Sequence, residues 1–151
     1  MPIKSYRGKL EDGEVLEINL RTQKGLIGYK VVKLQLLPFN LNAAGEAAVK
    51  VFKTKQSSAV FDFNFEDNDL LAAAYFTVHG SADVYPEDSH VIFDNEVVNQ
   101  NIFITHKNND DVPINFYLEL EQIKLNDNEA TYATLQSLRS RYESTTPAGP
   151  S

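Results

Sequence analysis

Residues 114–142 read INFYLELEQIKLNDNEATYATLQSLRSRY, and the passage from strand to helix inside this stretch decides the fold. Residues 114–125 read as a strand. Asn126, followed three residues later by Glu129, marks a helix start, because the two side chains can cap each other's backbone N–H groups. Thr131, Leu135, Leu138 and Tyr142 then recur at spacings of four, three and four, which places them on one face of a helix over residues 127–142. These four side chains are the expected packing face. The chain therefore reads as a mostly β protein that ends in one amphipathic helix and a Pro/Gly/Ser tail.

Working backwards from that stretch, strand-like runs alternate with turn signals. Residues 15–20 (VLEINL) place Leu16, Ile18 and Leu20 on one side and Glu17 and Asn19 on the other. Residues 28–37 (GYKVVKLQLL) follow and are closed by Pro38. Residues 40–45 read as a loop. Residues 47–54 alternate again, with Ala47, Val49 and Val51 against Lys50 and Phe52. Residues 59–65 (AVFDFNF) are expected to form a strand with Phe61, Phe63 and Phe65 on one face.

Further along, Asp67 or Asn68 is positioned to cap a turn. In residues 72–78 the alanines favour helix, while Tyr75, Phe76, Thr77 and Val78 favour strand, and the strand reading is preferred. Residues 80–89 read as a polar loop. Residues 90–93 and 101–105 read as short strands around an Asp94–Asn95 turn, and residues 107–113 (KNNDDVP) are a strong turn signal. Many short strands and one helix exclude repeated βαβ units. They predict a mainly β fold, an antiparallel β-sandwich, jelly-roll-like, with one C-terminal α-helix.

The chain has 151 residues, the size of one domain, and such a chain buries roughly 70% of its unfolded surface. Residues 1–142 are expected to form that domain, helix included. Residues 143–151 (ESTTPAGPS) carry almost no apolar mass and form an extended arm. Thr145, Thr146, Pro147 and Pro150 in this arm are candidate contacts with a neighbouring subunit. There is no cysteine, hence neither a disulfide framework nor a thiolate site. The opening MPIKSYRGKL has no apolar run of a leader peptide. The longest apolar stretches fall well short of the ~20 residues that span a bilayer, so no membrane partner is expected.

The net charge is −7, from 21 acidic and 14 basic residues. That argues against nucleic acid, whose backbone demands concentrated Lys and Arg. Lys50, Lys53 and Lys55, and Arg139 with Arg141, form small basic groups that read as solvated faces. His79, His90 and His106 show no metal-ligand spacing. Asp62, Glu66, Asp67 and Asp69 lack the alternation, central Gly and terminal Glu of a calcium loop and read as a solvated turn. No nucleophile motif, phosphate loop or dinucleotide fingerprint is present. The expectation is a non-enzymatic protein with no catalytic residue, no cofactor and no metal. Seven tyrosines and nine phenylalanines leave sugar binding by exposed aromatics as the competing reading.

Four segments together, GLIGYKVVKLQLLP, NDLLAAAYF, the IFDNEVVNQNIFITH region and INFYLELEQIKLNDNEATYATLQSLR, resemble short virion structural proteins of marine tailed bacteriophages. The resemblance spans residues 6–139 and rests on order and spacing. It implies a non-enzymatic structural role in the virion without placing the protein within the particle; the expectation is a capsid decoration or cement protein at joints between capsid subunits, assembled in host cytoplasm. A head-fibre base, a tail or neck component and a carbohydrate-binding attachment module are the alternatives. The implied partners are the major capsid protein and the chain itself, as a homo-oligomer, trimer or pentamer.

Overall fold

The computed structural model describes residues 2–39, 45–78, 87–93 and 96–145, with side chains except at 78, 87 and 139–145. The described residues form eight strands and a helix. They are β1 (Ile3–Leu10), β2 (Val15–Ile18), β3 (Ile27–Pro38), β4 (Gly45–Phe52), β5 (Leu70–Val78), β6 (Glu87–Ile92), β7 (Ile102–Asn108), β8 (Ile114–Lys124) and α1 (Asp127–Thr145). All strand pairs are antiparallel, in a three-stranded sheet ordered β1-β8-β3 and a five-stranded sheet ordered β2-β7-β4-β5-β6. The expected sandwich is present.

Its connectivity is that of a jelly roll with one pairing exchanged. A jelly roll wraps an antiparallel ribbon in which first strand meets last, second meets second-last, and so inward. Here β1 pairs with β8, β2 with β7 and β4 with β5. The remaining pair of such a ribbon, β3 with β6, is replaced. β6 bonds to β5 and only lies against β3. A gap of about 280 Å³, lined by Leu34 and Leu36 on one side and Tyr75 and His90 on the other, marks the corner where the ladder is missing.

The period-2 alternation builds the core. Ile114, Phe116, Leu118 and Leu120 of β8 face inward and are buried. Leu34 and Leu36 of β3 join them from the same sheet, opposite Val49 and Val51 of β4 and Ile102 and Ile104 of β7. A bulge between Val31 and Lys33 shifts the register by one residue, so that Tyr29 and Val31 before it and Leu34 and Leu36 after it are all buried. Gly28 permits the close approach of residues 97–98, since a β-carbon there would collide with Val97 Cγ1. Tyr29 and Val98 exchange both backbone hydrogen bonds at this point, at 2.7 and 2.9 Å.

β1 was not foreseen. Its sequence IKSYRGKL has only Tyr6 and Leu10 as apolar inward residues, because Gly8 lies beneath the Phe116 ring. It forms at the sheet edge, where little apolar surface is needed, and its outward residues Ser5, Arg7 and Lys9 stay in solvent.

Several expectations are corrected. Residues 59–65 form no strand. The segment 53–69 leaves and re-enters the five-stranded sheet as a compact loop, closed by Lys53 N–H donating to Asp69 O at 2.9 Å. Asn64 and Asp67 side chains hold its turns by accepting from the backbone N–H groups of Glu66 and Asp69. Phe61, Phe63 and Phe65 are therefore exposed, by 37%, 39% and 57%.

The second correction concerns the helix face. The capping box forms as read, with Asn126 and Glu129 exchanging bonds at 3.0 and 2.8 Å. The buried residues are Ala130, Ala133 and Ser137, while Thr131, Leu135 and Leu138 point into solvent. Small residues win because the helix lies close against the chain at Gly25 and Asn99, leaving no room for leucine. The helix also continues three residues past 142, so residues 143–145 are helical rather than extended. The side chain of Tyr142 lies outside the described residues, as do Thr146, Pro147, Pro150, His79 and the predicted turns at 40–44 and 94–95. Among the described residues no helix is long and apolar enough to cross a membrane.

Candidate functional site

A cleft of about 1090 Å³ lies where α1 faces the 53–69 loop. One wall is the helix, through Asn128, Glu129, Tyr132, Ala133 and Gln136. These positions recur at helical spacing, so they share a face. The opposite wall is Phe65, Asp67, Asn68 and Asp69, with Phe93 and Glu96 beside them. The end of β8 supplies the floor through Ile123 and Leu125. Phe65 meets Phe93 edge to face with ring centroids 4.7 Å apart, which holds Phe65 upright at the rim. Tyr132, 67% exposed, stands on the other rim.

The cleft is acidic. Four carboxylates (Asp67, Asp69, Glu96 and Glu129) line it against the single ammonium of Lys53. Lys53 is committed to Glu96 at 2.6 Å. Asp69 accepts from the Thr54 hydroxyl at 2.9 Å, and Asp67 and Glu129 accept from backbone N–H groups. Among the described residues these three carboxylates have no cationic partner within ion-pair distance. Their hydrogen bonds fix their positions without forming an ion pair, and of the three only Asp67 also feels the charge of the buried Lys50.

A second surface lies at the other end of the three-stranded sheet. Arg7, Lys9, Gln35, Leu37, Asn115 and Tyr117 surround a shallow cavity of about 530 Å³. Leu37 and Phe39 are 59% and 57% exposed here, and the Lys9 ammonium stands 4.9 Å above the Phe39 ring. Lys33 stands 5.8 Å above the Tyr117 ring. Lys9 also pairs with Glu11 at 3.2 Å, whereas Arg7 has no carboxylate partner among the described residues.

Two titratable groups are buried outside both surfaces. Lys50 faces out of the five-stranded sheet but is covered by the 53–69 loop and is only 2% exposed. Its ammonium donates to the Asp62 carbonyl and lies 5.3 Å from the Phe63 ring. Desolvation lowers its pKa, opposed by the charges of Asp62 and Asp67. His106, fully buried on β7, donates from Nδ1 to the Glu11 carbonyl at 3.0 Å, and its Nε2 has no hydrogen-bond partner among the described residues. Desolvation lowers its pKa too, opposed by backbone hydrogen bonds and by Asp12 and Glu14. The three histidines were read as scattered; among the described residues no three His, Asp or Glu side chains converge on a metal-sized point.

Sequence reasoning placed the cleft's helix start but missed the cleft. Tyr132 falls outside the expected helix face, and the expected strand places Phe65 on a face for the core or for a partner's surface rather than at a cleft. The signal that was present is the run EDND after Phe65, whose turn-forming residues oppose strand pairing. The chain matches no protein-family model, no curated protein and no solved structure.

Proposed function

We propose that the chain is a non-enzymatic structural protein of a phage particle, a capsid decoration or cement protein that binds at joints between capsid subunits. The observation that carries this reading is the jelly-roll pairing of β1 with β8, β2 with β7 and β4 with β5, a frame shared by many capsid and lectin domains. The warrant is an analogy of fold. It is supported by surface chemistry of the kind that binds other proteins: aromatic and aliphatic side chains stand exposed at both ends of the sandwich, ringed by charge. The partners are the major capsid protein and further copies of the chain, in a trimer or pentamer. The tail from Thr146 to Ser151 lies across a neighbour in the assembled state, through Thr146, Pro147 and Pro150. The test is copy number per virion by quantitative mass spectrometry of purified particles. Hundreds of copies support a cement protein, about a dozen a fibre, neck or tail component, and absence from the particle ends the reading.

One observation favours a second reading, a carbohydrate-binding attachment module. Phe65, Phe93 and Tyr132 offer aromatic faces beside the amides of Asn68, Asn128 and Gln136. Soluble glycans would then compete with particle attachment, and a Tyr132→Ala particle would attach poorly.

A further inference from the structure

We propose that the acidic cleft at α1 is the socket for the basic β1–β3 patch of a second copy, so that chains join head to tail. The inference specifies the interface behind the self-association proposed above.

Both surfaces are incomplete in the same way and with opposite sign. The cleft presents Phe65 and Tyr132 over four carboxylates and one committed ammonium. The patch presents Leu37 and Phe39 beside Arg7 and Lys9, in a protein whose overall charge is −7. Docking buries apolar side chains at the centre and places Arg7, which lacks an ionic partner among the described residues, against carboxylates that lack one. The Arg7 guanidinium suits this role, since its planar fork matches a carboxylate and stacks on an aromatic face such as Tyr132. A neutral sugar would leave the carboxylates uncompensated, so the charge favours a cationic protein surface as the occupant.

The strand register separates the two surfaces. Asn115 lines the patch and Ile123 the cleft. Eight residues of extended β8 chain put them roughly 27 Å apart. One copy therefore cannot satisfy both of its own surfaces. Contact between two different surfaces is heterologous, and such contacts close into rings or run on as filaments. The exposed β1 edge is a poorer route to a two-fold dimer. Antiparallel self-pairing of IKSYRGKL about its centre sets Lys4 opposite Lys9, and like charges directly opposite are destabilising.

The test uses the full chain and light scattering on a sizing column. Salt is raised from about 0.01 M to about 1 M, which shortens the screening length from about 30 Å to about 3 Å. The wild type should form oligomers at low salt and fall towards the 17.0 kDa of a single chain at high salt. Arg7→Glu/Lys9→Glu removes the patch, and Asn128→Lys/Tyr132→Lys cancels most of the cleft's negative charge through exposed helix positions. Each double variant should associate at least about tenfold more weakly, with an unchanged circular dichroism spectrum and melting temperature. An equal mixture of the two should give a dimer and nothing larger, since each retains the surface that the other lacks. A wild type that is monomeric throughout overturns the proposal, as does an oligomer that persists in both variants, or a glycan bound in the cleft of a monomer. Particle copy number is read separately. A monomer abundant in virions would remove this interface and leave the particle reading standing, and an oligomer absent from virions would do the reverse.

Discussion

Replacing Asn99 by alanine should loosen the joint between the helix and the sandwich. Asn99 is fully buried, and its Nδ2 reaches the Gly25 carbonyl at 3.0 Å, the Ala130 carbonyl at 3.2 Å and Thr134 Oγ1 at 2.8 Å. The three losses are unequal. Ala130 O lies in the helix interior and keeps its acceptance from the residue four positions on. Thr134 Oγ1 loses a neutral hydrogen bond, worth about 1 kcal/mol net. Gly25 O is in a buried residue and is left without this donor, which costs about 1–3 kcal/mol. Against this, Asn99 Oδ1 has no partner among the described residues, so its removal recovers about 1 kcal/mol. The net expectation is a loss of about 2 kcal/mol, or roughly 4–8 °C in melting temperature for a chain of this length. Urea titration followed by circular dichroism measures the first quantity. Amide exchange should show the loss concentrated in α1. Asn99→Asp should be worse than Asn99→Ala, because it removes the donors and adds an unpaired buried charge. A change below about 0.5 kcal/mol for Asn99→Ala, the range of an ordinary surface substitution, would show that the helix is not pinned through this side chain.

Helix-face variants should separate cleanly. Leu135→Asp is expected to change the stability of the isolated chain by less than about 0.5 kcal/mol, whereas Ala133→Asp, at a site 5% exposed, should cost several kcal/mol, and chemical denaturation of both decides. Lys50→Met should hold or raise stability, by about 1 kcal/mol, since it removes a desolvated charge and the exposed Asp62 carbonyl can turn to water. The folded pKa of Lys50 is lowered, so between that pKa and its ordinary 10.5 the unfolded chain carries more protons and stability rises with pH; this rise should vanish in the variant. His106 is also lowered, from 6.5, so its neutral form contributes stability that is complete above pH 6.5 and is lost as pH falls towards the folded pKa. His106→Asn should have a shallower stability profile below pH 6.5, and parallel profiles would contradict the assignment. Deleting residues 146–151 should leave the melting temperature of the dilute domain unchanged while weakening self-association, read on the same sizing column.

Local sequence determined what depends on neighbours in the chain. The alternation of β8 and β4, the capping pair Asn126 and Glu129, and the strand character of residues 72–78 were legible, because side-chain period and reciprocal capping are properties of a few consecutive residues; the strand also takes in Leu70 and Leu71, which were not part of that reading. Class followed from these, and so did the sandwich. Tertiary structure decided the rest. The AVFDFNF alternation matches a strand as well as any other segment, yet no partner edge is offered to it, and it covers Lys50 as a loop instead. Edge strand β1 has too few apolar residues to announce itself and exists because β8 presents an open ladder. The helix period singled out the face of Thr131, Leu135, Leu138 and Tyr142, whereas the structure buries Ala130, Ala133 and Ser137. Asn99 and Gly25 lie so close to the helix axis that only alanine and serine fit, which sent the leucines outward. The acidic cleft and the basic patch unite residues that are far apart in sequence, so their charges meet only once the two ends of β8 have been set in space.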